Sequence, residues 1–91
     1  MNKERREQIS YIRNLLKDIS KYLEMVDHQA LQKVIDEECD SRSNIPENLD
    51  FYDTAQVSDC AIENLEEAQN ILHEITTTID DIDELLEKAS T

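Results

Sequence analysis

Residues 44–49 read Asn-Ile-Pro-Glu-Asn-Leu and hold the only proline of a 91-residue chain that contains no glycine. Apolar residues recur at helical spacing on both sides of this stretch. Its reading therefore decides whether the chain is one long helix or two. Pro46 lacks an N–H and pushes Ile45 out of the helical region. Ser41, Arg42, Ser43 and Asn44 lead into it, and Ser and Asn favour turns. The pattern predicts a helix over 4–40, a proline-containing break over 41–50 and a second helix over 51–89, all within one domain spanning 1–91. Asp50 or Asp53 is placed to cap the second helix by accepting its free N–H groups. Ile45, Leu49, Phe51 and Tyr52 are the apolar residues available to close that end.

Towards the N-terminus, Ile9, Leu16, Leu23 and Ala30 fall seven apart, and Ile12, Ile19 and Val26 stand three positions after the first three of them. This is an a/d stripe over three heptads, widened at the adjoining positions by Leu15 and Tyr22. After Ala30 the register slips through Leu31, Val34 and Ile35, as drift or a stutter produces. In the second segment Leu65, Leu72, Ile79 and Leu86 form one series, and Ala61, Ala68, Ile75, Ile82 and Ala89 the other. Val57, Ile71 and Leu85 widen it. A two-stranded coiled coil needs only a and d. A three-position face suits a bundle of three or four helices. The expected fold is all-α: an antiparallel helical hairpin that dimerises into a four-helix bundle. Its candidate self-association residues are Leu16, Leu23, Leu65, Leu72, Ile75, Ile79, Ile82 and Leu86. The run Thr76–Thr77–Thr78 is a weak spot, because β-branched residues lose rotamer freedom in helices.

Charge supports the hairpin independently. Residues 1–21 carry six basic and three acidic groups, net +3, whereas residues 80–88 carry five acids and one lysine. Each cluster opposes its own helix dipole, and both make sense if the two chain ends lie side by side. Exposed pairs of this kind guide register more than they hold a fold.

The whole chain has a net charge of −13, from 9 basic and 22 acidic residues. Residues 47–91 account for −12 of it, with one basic and 13 acidic groups. Direct binding to nucleic acid or an anionic membrane requires a positive footprint and is disfavoured. A basic partner is favoured instead. Cys39 and Cys60 form no CxxC pair and no Cys/His cluster with zinc spacing, which reads as two reduced thiols in a cytoplasmic protein. The stretch Ile9–Leu16 is interrupted by Ser10, Arg13 and Asn14, so no signal peptide is expected there. No run approaches the roughly 20 apolar residues of a membrane span.

Three chemical constellations compete with the reading of ordinary solvated acids. The window Asp36–Glu47 puts Asp36, Glu38, Asp40 and Glu47 at the first, third, fifth and twelfth positions of a calcium loop. However, Ser41 stands where glycine permits the sharp turn, and Pro46 occupies the eleventh position. Di-metal bundles need Glu-x-x-His motifs, and neither His28 nor His73 is preceded by Glu at that spacing. Carboxylate pairs occur at Glu63/Glu66, Asp80/Asp83 and Glu84/Glu87. All-α nucleotide pyrophosphohydrolases hold magnesium with such pairs, but no basic residue nearby would take the phosphates. With no glycine there is no phosphate loop, and the serines lack a nucleophile motif. No catalytic residue, metal ligand or cofactor is therefore assigned.

An acidic surface remains. Asp36, Glu37, Glu38, Asp40, Glu47, Asp50, Asp53, Asp59 and Glu63 crowd the break, offset there only by Arg42. Carboxylates on a rigid rod can stand in for phosphates in the nucleic-acid groove of another protein. The candidate partner-binding residues are Asp36, Glu37, Glu38, Asp40, Glu47, Asp50 and Asp53, with Phe51 and Tyr52 as apolar anchors.

The proline-centred "NIPENL", followed at a fixed gap by "AIENLEEAQNIL" and preceded by "NKERREQI", resembles a family of small acidic helical proteins of phages and prophages of Gram-positive bacteria. Those proteins carry an "NLPENLQ"-type break and "AIDNLEEA"-type repeats. This chain departs from them at Phe51–Tyr52, where the family often has a Gly-Ser cap. The family carries no settled function; its phage setting, taken with the acidic surface, points to a non-catalytic inhibitor of a basic host protein, nucleic-acid-binding or defence-related, of anti-CRISPR or other anti-defence type. A self-associating structural or assembly protein is the alternative, and a small metal-dependent nucleotide hydrolase the third reading.

Overall fold

The computed structural model describes residues 1–49 and 53–91. Helix α1, Lys3–Glu24, runs without interruption through a π-helical segment, Met25–Leu31, into α2, Gln32–Ser43. A 3₁₀ turn, Glu47–Leu49, follows the proline, and α3, Asp53–Ala89, returns antiparallel to the first arm. There is no strand among the described residues. The all-α hairpin predicted from the pattern is the fold. It is a rod of 69 × 17 × 13 Å with a radius of gyration of 20.2 Å. A compact domain of this length has about 12 Å.

Local chemistry sets the ends of each arm. Asn2 caps α1, its side-chain oxygen accepting from the Arg5 N–H at 2.8 Å. The turn-forming Ser41–Ser43 complete α2 rather than leave it, because the restriction that Pro46 imposes reaches back only to Ile45. The Ser43 hydroxyl donates to the Asp40 carbonyl at 2.9 Å, and the Asn44 N–H donates to the same carbonyl at 3.2 Å. The calcium-loop window is therefore mostly helix and cannot wrap an ion as a loop does. Asp53 begins α3, where a carboxylate complements the dipole. Thr76, Thr77 and Thr78 stay helical, each hydroxyl donating to the carbonyl four residues back at 2.9–3.1 Å.

The register slip has a definite cause. Leu23 and Leu31 share the seam between the arms but are eight residues apart, as are Asp27 and Ile35. The heptad carries one extra residue, and the π segment absorbs it. The Gln32 N–H donates to the Asp27 carbonyl, the five-residue step of a π turn. Upstream and downstream apolar residues thus meet α3 on the same side.

The seam is thin. Among the described residues only Ile35 and Ala55 are buried apolar residues, with Ile9, Leu16, Leu23, Leu65, Leu72, Ile79 and Leu86 half-buried between the arms. Ile45 is half-buried at the closed end. Phe51 and Tyr52, and the side chain of Leu49, lie outside the described residues, so their proposed plugging role does too. A second apolar stripe stays exposed: Ile12, Leu15, Ile19, Val26 and Val34 on the first arm, Val57, Ile71, Ile75, Ile82 and Leu85 on α3. Among the described residues no helix is long and apolar enough to cross a membrane.

Candidate functional site

Polar cross-links run along one flank of the seam in antiparallel order. Arg13 grips Asp83 with two bonds, Nε to Oδ1 at 2.8 Å and Nη2 to Oδ2 at 3.3 Å, and reaches Glu87 at 3.6 Å. This is the pairing that the opposed charge clusters predict. Asp27 meets His73, Gln69 donates to Gln32 at 2.7 Å, and Ser58 donates to Glu38 at 2.8 Å. Near the closed end Arg42 Nε donates to Asp59 at 2.7 Å.

Asp27 is the unusual member. It sits in the π segment and is only 4% exposed. One carboxylate oxygen is taken by His73 Nε2. The other is covered and lies beside the Gln69 amide, which also donates to Gln32. Burial is the largest single influence on Asp27 and pushes its pKa up. Hydrogen bonding from Gln69 and His73, with the charges of His73 and His28, outweighs it, and the carboxyl is held below its ordinary value. Asp83 is likewise held low, first by its bond to Arg13 and then, against desolvation, by the charges of Arg13 and Lys17.

These shifts predict an acid limit. A carboxyl whose folded pKa is depressed adds stability that is present above its unfolded pKa, about 4, and lost as pH falls through the folded value. The melting temperature should therefore drop below about pH 4. Asp27→Asn and Asp83→Asn should each flatten that drop in a series of thermal melts by circular dichroism. An unchanged slope in both variants would contradict the assignment.

The groove beside this pair has a volume of about 540 Å³ and is lined by Lys17, Lys21, His28, His73, Thr76 and Asp80, among others, over a floor of Leu16 and Ile79. Its two lysines share the groove with four carboxylates, Glu24, Asp27, Asp80 and Asp83, so the groove as a whole is acidic and offers an anion no net positive site. Of the carboxylate pairs, Glu63 and Glu66 are exposed, Asp83 and Glu87 are held by Arg13, and Glu84 pairs with Lys88 at 3.1 Å. Among the described residues no three His, Cys, Asp or Glu side chains converge as metal ligands.

The closed end of the rod is the acidic surface. Asp36, Glu37, Asp40, Glu47 and Asp53 are exposed and form no ion pair among the described residues. Asp36 accepts only from Gln32 on its own helical arm, at 3.0 Å. Glu38 turns into the seam against Ser58 and Asp59 is bound by Arg42, so these two are partly structural. Asp50, Phe51 and Tyr52 lie outside the described residues. Of the residues assigned to self-association, Leu16, Leu23, Leu65, Leu72, Ile79 and Leu86 line the hairpin's own seam, while Ile75 and Ile82 are each 42% exposed.

Sequence reasoning missed the Asp27–His73 and Gln32–Gln69 links. A signal was present: Arg13, Ser20 and Asp27 are seven apart, as are Ile62, Gln69, Thr76 and Asp83. Each is a heptad series running beside the apolar one. Comparison with protein-family models, with curated proteins and with solved structures finds no match.

Proposed function

We propose that the protein is a non-catalytic, acidic protein-binding module that works as a homodimer in a bacterial cytoplasm. Its closed end docks onto a basic protein, nucleic-acid-binding or defence-related, in the place of phosphates. The observation that carries this reading is the set of exposed carboxylates, without an ion pair among the described residues, at one end of a stiff rod. Residues 36–63 hold nine acids and one arginine, net −8. Their helical parts, 36–43 and 53–63, hold seven of the acids and the arginine, net −6, side by side over roughly 17 Å at 1.5 Å per helical residue. That is about one net charge per 3 Å, close to the phosphate spacing along one DNA strand. The resemblance to small acidic phage proteins makes a host-directed inhibitor of anti-defence type the natural setting.

A second reading, a self-associating assembly protein, is favoured by the exposed apolar stripe. Affinity capture from a Gram-positive bacterial lysate separates the two. Phosphate mimicry expects capture of a nucleic-acid-binding protein that is released by excess duplex DNA and by roughly 0.5 M salt, where the Debye length falls to about 4 Å. A partner retained under both conditions, or recovery of the chain alone, overturns it.

A further inference from the structure

We propose that the exposed apolar stripe is the interface with a second copy of this chain, and that the two hairpins pack head to tail. This rests on the homodimer just proposed and assigns its face and polarity.

The face follows from helical geometry. At about 100° per residue, Ile12 and Ile19 stand about 40–60° from the seam position Leu16, on the side away from Arg13 and Ser20. Ile75 and Ile82 stand at a similar offset from Ile79, on the side away from Thr76 and Asp83. The arms are antiparallel, so equal offsets in the same rotational sense bring both stripes to one broad side of the hairpin. The opposite side is the polar groove of Lys17, Lys21, His73 and Asp80. The molecule thus has one apolar side and one polar side. The apolar side runs from Ile12 and Ile82 near the chain termini to Val34 and Val57 near the closed end, each of these 42–66% exposed.

Area identifies the occupant. The chain exposes 7007 Å². A monomeric protein of 10.6 kDa exposes about 5,500 Å². The excess is about 1,500 Å² per chain. Two chains hiding it against each other bury about 3,000 Å² in total, within the range of obligate homodimers. A twofold axis also gives each apolar stripe an identical, self-complementary partner.

Charge sets the polarity. Residues 36–63 at the closed end carry −8. The terminal end, residues 1–21 with 80–91, carries +3 and −4, net −1. Head-to-head packing sets −8 beside −8. Head-to-tail packing sets each closed end beside the partner's near-neutral terminal end, where Lys3, Arg5, Arg6 and Arg13 lie. It also leaves the two acidic ends free at opposite extremes of the bundle.

The test uses the exposed thiol of Cys39. Cys60→Ser chains carrying a nitroxide on Cys39 are measured by pulsed dipolar spectroscopy and weighed by sedimentation equilibrium. Residue 39 lies 16 residues from the middle of the first arm, so head-to-tail overlap separates the two labels by about 48 Å. Head-to-head packing brings them within about 25 Å, two helix diameters. A dimeric mass with the long distance is the expected result. A dimeric mass with the short distance overturns the polarity alone, and a monomeric mass overturns the dimer and this interface together. Ile19→Glu with Ile75→Glu tests the face: both side chains are exposed in the hairpin, and the pair is expected to raise the dimer dissociation constant at least 100-fold. A double variant that stays dimeric at wild-type concentrations overturns the face.

Discussion

Deletion of Asn70 should lower stability by on the order of 3 kcal/mol, whereas deletion of Gln29 should leave it unchanged or raise it. Both residues are exposed helical positions, and composition alone would not separate them. The difference lies in the seam. Removing one residue from α3 rotates one half of that helix by about 100° against the other. Leu72, Ile79 and Leu86 then leave the seam together, or Leu65 and Ala55 do. Each half-buried apolar side chain accounts for about 1 kcal/mol. Gln29 lies in the π segment, which carries the one surplus residue of the first arm. Its removal makes Leu23–Leu31 and Asp27–Ile35 seven-residue steps and lets the π turn become α-helix. Thermal melts at one fixed chain concentration check the pair. Equal losses would contradict the account of the π segment.

Much of the fold was legible because it depends on features a sequence displays directly. Pro46 without any glycine marks the break, the seven-residue spacing of Leu65, Leu72, Ile79 and Leu86 marks an arm, and opposed charges mark the antiparallel return. The slip after Ala30 was visible as a slip, but its geometry was not. One extra residue can be absorbed by gradual drift, by a stutter or by a π turn, and tertiary contact with α3 selects among them. The division of labour within the apolar stripe was also hidden. Leu16 and Ile19 look equivalent on a helical wheel, and only the packing angle of the second arm turns one inward and leaves the other exposed. Asp27 escaped notice for a related reason. A lone acid at a heptad-flanking position reads as solvated until a His73 from 46 residues away is seen against it.

The acidic site was legible as composition and became sharper as geometry. The sequence crowds nine acids around the break. The structure sorts them: Glu38 and Asp59 are bound within the hairpin, while Asp36, Glu37 and Asp40 share the outer part of α2 with no cation paired to them among the described residues. In the proposed dimer the apolar side is occupied by assembly and the closed ends stay free, so the two activities do not compete for surface.

The second large effect follows from that sorting. Asp36→Lys with Glu37→Lys and Asp40→Lys should weaken binding to the captured basic protein by about 100-fold or more, equivalent to about 2.7 kcal/mol. The control is Glu66→Lys with Glu67→Lys and Glu74→Lys, which makes the same six-unit change in net charge midway along α3. If only net charge mattered, the two triples would behave alike. Local docking confines the loss to the α2 triple and leaves the control within about fivefold of the parent chain. Both variants keep the seam intact, and matching far-UV circular dichroism verifies that.

The dissociation constant of the captured partner for these two variants, side by side at one salt concentration, decides whether the closed end is where the protein docks. A loss confined to the α2 triple is the predicted result; equal losses, or none in either, would contradict docking through the closed end.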